Sequence, residues 1–404
     1  MQFIWIWGQE PSINHQKRII KYGIYCPILN QIQTMKIAAI ATATPDEILT
    51  HEEGELMQRR MFSRISTEPI SDLFNILLKH VYRGEINERR HCVALKYHER
   101  LLGEINPNDK IPGTNTERRM EIYAKEALAL TLDSIAKLPT NSTEQTPKFS
   151  HIIYVSCTGQ IAPGISVGIV EHLCLASSTN ILEINFYGGC AGLLTGLKVA
   201  RDIIDSKSSS RVLLCATELC SLHFQPTKSN EQIIVNSIFG DGSVSMICEG
   251  EGNTEILQSK VSHAWRHIAS KTYLLPDTKD MITWNLGSAG FKMSLSPALP
   301  KYISKNLKSV VEIILTKEGI ALSDITNWAI HPGGPKILET CQSALSLSDE
   351  QVATSWQIYR DFGNMSSSTV GFILEKMRAE KRHGYCVAIA FAPGVRVEVA
   401  ILHY

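Results

Sequence analysis

One internal spacing constrains this chain more than any other feature. The apolar run Tyr154-Val155-Ser156 leads into Cys157-Thr158-Gly159, and Ala329-Ile330 leads likewise into His331-Pro332-Gly333. Cys190 stands 33 positions after Cys157, and Asn364 stands 33 after His331. A further 21 positions on lie the apolar runs that open at Arg211 and Tyr385. Matched anchors over stretches this long mark a duplicated unit rather than a solenoid of short repeats. Two similar halves are therefore expected, each presenting a strand-to-helix junction, one with Cys190 and the other with Asn364, across a pseudo-two-fold axis.

At 404 residues the chain exceeds the ~250–300 residues at which single cores stop growing. Residues 35–252 read as the half carrying the cysteine and residues 253–404 as the half carrying the histidine and asparagine, with Gly250, Gly252 and Asn253 as a turn-rich junction. Met35 opens Lys36-Ile37-Ala38-Ala39-Ile40-Ala41, a natural first strand, so residues 1–34 read as an extension foreign to the fold. Their apolar patch Phe3-Ile4-Trp5-Ile6-Trp7 has no basic segment before it and no small-residue cleavage site after it, unlike a signal peptide. No apolar stretch approaches the ~20 residues of a membrane span.

Charge excludes some partners. Lysine plus arginine number 40 and aspartate plus glutamate 40, so no long-range field draws the protein to nucleic acid or an anionic bilayer. Any anionic ligand must be met by local groups. The ten cysteines lie in apolar segments without a CxxC pair. They read as reduced thiols of a cytoplasmic protein, and neither a disulfide framework nor a metal site is expected. Apolar strands alternating with helical spacing predict an α/β architecture whose sheets are covered on both faces.

Cys190 follows Gly188-Gly189 at the end of an apolar run and opens a helix. Glycines permit a tight turn that exposes the side chain, and a helix N-terminus favours the thiolate. His331 precedes a proline, which biases it to extended backbone at a strand end. Asn364, between Gly363 and Met365-Ser366-Ser367-Ser368, is either a helix cap or a neutral hydrogen-bond donor for a developing oxyanion, where a carboxylate would repel. Lys79 and Arg83 are four apart on one helix face. That face is either simply solvated or a grip on a ligand's phosphates.

Five motifs together resemble the type III polyketide synthases, the chalcone-synthase-like enzymes of the thiolase superfamily. They are Tyr187-Gly188-Gly189-Cys190-Ala191-Gly192, Phe239-Gly240-Asp241-Gly242, His331-Pro332-Gly333-Gly334-Pro335, Gly363-Asn364-Met365-Ser366-Ser367 and Ala392-Pro393-Gly394. The resemblance runs from Met35 to Tyr404 and implies a homodimeric, duplicated, five-layered αβαβα thiolase fold. It implies an acyltransferase that takes an acyl-CoA starter and extends it with malonyl-CoA, with CoA thioesters as substrates and no bound cofactor. Cys190 would carry the acyl chain as a thiolate paired with protonated His331, and His331 with Asn364 would stabilise the malonyl-derived enolate. Phe239 falls at the family's gatekeeper position, and Lys79 and Arg83 fall near its CoA-phosphate residues, the third of which is here Ile76.

Departures from the plant pattern bear on the product. Met293 stands for a second gating phenylalanine, Trp284 for a small cavity glycine, and Cys157 and Cys220 for hydroxyl residues. With Thr217-Glu218-Leu219-Cys220-Ser221 and Ala390-Phe391-Ala392-Pro393-Gly394, these resemble bacterial members. They point away from a chalcone and towards a pyrone, resorcinol or phloroglucinol-like product. A single-condensation ketosynthase and a catalytically silent thiolase-fold dimer are the competing readings.

Overall fold

A computed structural model describes residues 35–82, 89–97, 114–139, 148–250 and 264–404. The expected extension at 1–34, the junction residues Gly252 and Asn253, and Arg83 lie outside the described residues. The strands are β1 Met35–Ala43, β2 Ile48–Thr50, β3 Arg89–His91, β4 His151–Ser156, β5 Asn180–Asn185, β6 Arg211–Leu219, β7 Asp241–Glu249, β8 Trp265–Leu274, β9 Ile282–Gly287, β10 Gly290–Leu295, β11 Ile325–Ile330, β12 Tyr385–Ala392 and β13 Arg396–His403. The α-helices are α1 His51–Ile65, α2 Asp72–Tyr82, α3 Thr116–Ala136, α4 Ile165–His172, α5 Gly192–Ser206, α6 Asn230–Ile238, α7 Leu299–Lys317, α8 Pro335–Leu345, α9 Asp349–Phe362 and α10 Thr369–Ala379.

Nine strands form one sheet in the order β11-β12-β13-β8-β1-β7-β6-β4-β5. The order repeats about its middle. In one half β4 runs parallel to β6, which is antiparallel to β7, itself antiparallel to β1. In the other, β11 runs parallel to β12, which is antiparallel to β13, itself antiparallel to β8. The halves join where Met35, Lys36 and Ile37 pair antiparallel with His267, Arg266 and Trp265.

These strands read as unbroken apolar runs because both of their faces are covered. Leu213 and Cys215 of β6 enter one core with α3 and α4 residues, while Val212, Leu214 and Ala216 enter a second. Cys386, Ala388 and Ala390 of β12 enter that same second core, while Val387 and Ile389 enter a third with α7 and α8. The second core also holds Leu193, Leu197 and Ala200 of α5 with Val370, Ile373 and Met377 of α10. Helices α5 and α10 thus lie between the two sheet halves, with α3 and α4 outside one and α7 and α8 outside the other. This is the five-layered αβαβα thiolase fold.

One expectation fails at the second junction. Cys190 does follow a strand, β5, but Asn364 follows the helix α9 and not a strand. The reason is local: Ser348 accepts the Gln351 N–H while Gln351 reaches back to the Ser348 N–H, a complete capping box. Val352, Ile358 and Tyr359 then give that segment a buried helical stripe. Only an isolated bridge between Phe239 and Asn364 remains of strand pairing there.

Candidate active site

The turn at Cys190 is built by two backbone conformations that ordinary residues avoid. Phe186 has φ 63° and Gly189 has φ +48°. A Cβ on Gly189 would also lie 2.5 Å from Pro393 Cδ, so both the turn and the β12–β13 connection demand glycine. Gly189–Ala191 form a short 3₁₀ turn before α5, and this lifts the Cys190 side chain off the sheet.

His331 directly follows β11, its N–H donating to Ile389 O at 2.8 Å as the β11–β12 pairing runs out. Its ring is buried, and neither ring nitrogen has a hydrogen-bond partner. Asn364 is held from both sides: its N–H donates to Ile238 O at 2.8 Å and its carbonyl accepts from the Gly240 N–H at 3.0 Å. The same two bonds flank Phe239, the expected gate residue, and tie its backbone to that of Asn364. The Asn364 Oδ1 accepts the Ser366 N–H at 2.8 Å, which turns the NH₂ end towards Cys190 as a donor. It does not cap a helix.

Cys190, His331 and Asn364 line one cavity of about 550 Å³, with apolar walls that include Ile282, Leu295 and Ile303. A second, smaller space of about 30 Å³ adjoins it, bounded by Cys157, Cys220, Trp284 and His223. Cys190, Phe239, Met293 and Phe391 line both. The expected gate residues Phe239 and Met293 therefore stand at the boundary between a wide chamber and a small pocket. Trp284 pairs with Met293 across the β9–β10 hairpin, and its Nε1–H donates to Cys157 O at 2.7 Å. The indole fills the space that a glycine would leave open.

Burial in this site opposes the thiolate–imidazolium pair that the resemblance implies. Burial pushes the Cys190 thiol up to about 11, and the buried Glu218 carboxylate adds to the rise against the hydrogen bonds of Ser366 and Asn364. Burial holds His331 down at about 3. Desolvation disfavours both charged forms.

Three residues of the site are absent from the sequence-based set. Ser366, with φ 49°, places its Oγ 3.0 Å from Cys157 Sγ and 3.6 Å from Cys190 Sγ. Glu218 accepts from the Cys157 N–H at 3.0 Å, from Thr158 Oγ1 at 2.7 Å and from Ser367 Oγ, tying β4, β6 and the Asn364 loop together. His223 stacks on Phe291 at 4.2 Å as a wall of the small pocket. The Ser-Ser-Ser run and the buried acid in Thr217-Glu218-Leu219 were the available signals. Of the phosphate candidates, Lys79 is exposed on α2 and is not among the cavity's lining residues.

A duplicated thiolase fold with a cysteine, a histidine and an asparagine on one cavity defines an acyltransferase class. Profiles described as chalcone and stilbene synthases match residues 30–252 for the N-terminal domain and 266–404 for the C-terminal domain. The chain belongs to this family, the type III polyketide synthases. It is 34% identical over 289 residues to the alpha-pyrone synthesis polyketide synthase-like Pks18 of Mycobacterium tuberculosis, covering 69% of this chain and 71% of that protein. Its fold matches PKS-I of the brown alga Ectocarpus siliculosus with TM-score 0.79 at 24% identity, over 92% of this chain and 98% of that one. It also matches 1,3,6,8-tetrahydroxynaphthalene synthase of Streptomyces coelicolor with TM-score 0.76 at 23% identity, over 92% and 99% of the two chains.

Proposed function

We propose that this enzyme loads an acyl group from an acyl-CoA starter onto Cys190, extends it by repeated decarboxylative condensation with malonyl-CoA, and cyclises the chain. The observation that carries this reading is the convergence of Cys190, His331 and Asn364 on one largely apolar cavity. His331 takes the Cys190 proton as sulfur adds to the starter thioester, and CoA leaves as the thiol. The malonyl thioester oxygen then faces His331 and the Asn364 amide. Loss of CO₂ leaves its electron pair as an enolate held by those donors, where water is excluded and hydrogen bonds are strong. The enolate carbon attacks the acyl carbonyl, the Cys190 sulfur leaves, and the lengthened chain, now on CoA, returns to Cys190 for the next round.

A small product, a pyrone, resorcinol or phloroglucinol-like ring, is supported by the Trp284-filled inner pocket, whose volume of about 30 Å³ leaves room for little beyond a water molecule. The likeness to a relative named for alpha-pyrone synthesis favours the first of these. No bound cofactor takes part in this reading. A homodimer is supported by the edge strand β5, where Ile181 and Leu182 are 44% and 41% exposed, since an open apolar edge invites pairing with a second copy. Cytoplasmic action is supported by the buried free thiols. Among the described residues, no helix is long and apolar enough to cross a membrane.

The test is incubation with a panel of acyl-CoA starters and radiolabelled malonyl-CoA. Labelled cyclic products carrying more than one malonyl unit are expected with at least one starter. One extension per starter would assign the single-condensation alternative, and no labelled product or CO₂ with any starter would remove the enzyme reading.

A further inference from the structure

The small pocket beside Cys190 has an amide in its wall that the motifs do not announce. Gln232 lies in the first turn of α6, is 5% exposed, and lines this space together with Cys190 and Trp284. The orientation of its amide follows from a backbone carbonyl. Gln225 O can only accept, so the Asn236 atom 2.9 Å from it is the NH₂ nitrogen, which also donates to Gln58 Oε1 at 3.1 Å. The Asn236 Oδ1 is then the end that meets Gln232, and it accepts from the Gln232 NH₂ at 3.2 Å. This leaves the Gln232 Oε1 as the outer end of the amide. That oxygen is buried and has no hydrogen-bond partner among the described residues.

A buried acceptor without a donor is costly, and native proteins hold few of them. The pocket's own donors are committed elsewhere. His223 bonds Thr158 O through Nε2 at 2.7 Å and accepts the Phe291 N–H on Nδ1 at 3.0 Å, the Thr158 hydroxyl donates to Glu218 at 2.7 Å, and the Trp284 Nε1–H donates to Cys157 O. Phe224, Val235 and Phe291 complete apolar walls around a volume of about 30 Å³, enough for one group the size of a water molecule. One acceptor in an apolar recess of that size is complemented by one hydroxyl.

We propose that Gln232 is a specificity-determining residue, its Oε1 accepting a hydrogen bond from a hydroxyl at the far end of a short acyl chain carried on Cys190. This rests on the acyl-loading reading above and adds a substrate class, the ω-hydroxyacyl-CoA thioesters. A hydroxyl and a methyl are close in size, but a methyl in the pocket excludes water and leaves Oε1 unpaired, so sites of this kind reject the analogue that lacks the hydroxyl.

The test compares matched starters, 3-hydroxypropanoyl-CoA against butanoyl-CoA and 6-hydroxyhexanoyl-CoA against heptanoyl-CoA, on the full-length protein and its Gln232→Met variant. Acylation of Cys190 is followed by intact-protein mass spectrometry. The wild type is expected to load at least one hydroxylated starter about tenfold or more faster than its methyl partner, and Gln232→Met, which keeps an unbranched side chain without the acceptor, is expected to lose that preference by loading the methyl partner better. Equal loading within both pairs by the wild type overturns the proposal and leaves the proposed function standing, as when a water molecule satisfies Oε1. A preference that survives in Gln232→Met, or a variant slowed equally with both partners, overturns it too and assigns Gln232 to holding α6 in place. No acylation of Cys190 by any starter removes the proposed function and this inference together.

Discussion

Cys190 sits among groups that oppose its ionisation more than they favour it. Burial and Glu218 raise the thiol to about 11, and the hydroxyl of Ser366 and the amide of Asn364 offset only part of that. Alkylation of Cys190 by iodoacetamide in the free protein is therefore expected to quicken continuously from pH 7 to pH 10. A plateau already reached below pH 7 would show that a thiolate–imidazolium pair exists before substrate arrives. Ser366→Gly keeps a residue suited to φ 49° and keeps the N–H that orients Asn364, while removing the hydroxyl beside the thiol. Alkylation at pH 8 is expected to slow several-fold in that variant, by about one hydrogen bond's worth. The three principal residues were legible from spacing and motif. Ser366 was not, because its role depends on a left-handed backbone that no serine advertises in sequence.

The elements that shape the site differ in how much of their placement the sequence reveals. Strands buried on both faces announce themselves as apolar runs, so the positions of β4, β6 and β12 followed from pattern alone. The segment before Asn364 did not follow, because the repeat argument carried a strand over from the Cys190 half while the capping box at Ser348 and Gln351 specified a helix. Local chemistry overrode the inherited symmetry. The β9–β10 hairpin shows the same limit: Trp284 and Met293 could be picked out as cavity residues, but their pairing and the indole's bond to Cys157 O needed the fold. The turn before Cys190 is the most sharply determined element. Gly189→Ala would hold alanine at φ +48° and push its Cβ into Pro393. The backbone strain alone is worth about 1–2 kcal/mol, so a lower melting temperature is expected, together with slower acylation of the displaced thiol. A variant as stable and as readily acylated as the wild type would mean that the turn tolerates a side chain.

On the scale of the whole molecule, two sheet halves close around α5 and α10, and burial inside this core sets a pH limit on stability. His223, His267 and His331 are each held at about 3 by desolvation, against an ordinary 6.5. They are neutral when folded, while the unfolded chain takes up protons below 6.5, so their contribution is complete above that pH and is lost as pH falls towards 3. Each would cost on the order of 2 kcal/mol at pH 5. Glu218 and Glu398, raised by burial, act in the opposite sense. With three histidines set against two acids, the urea midpoint is expected to fall between pH 7 and pH 5, and a constant or rising midpoint would contradict this balance. The central claim is that His331 and Asn364 stabilise an enolate in the same cavity where Cys190 carries the acyl chain. It is tested most directly by release of labelled CO₂ from malonyl-CoA in a Cys190→Ala background. The account predicts measurable release without condensation, lowered about 10²–10³-fold when Asn364→Ala removes one donor and further reduced by His331→Ala. Release unchanged by both substitutions would contradict it.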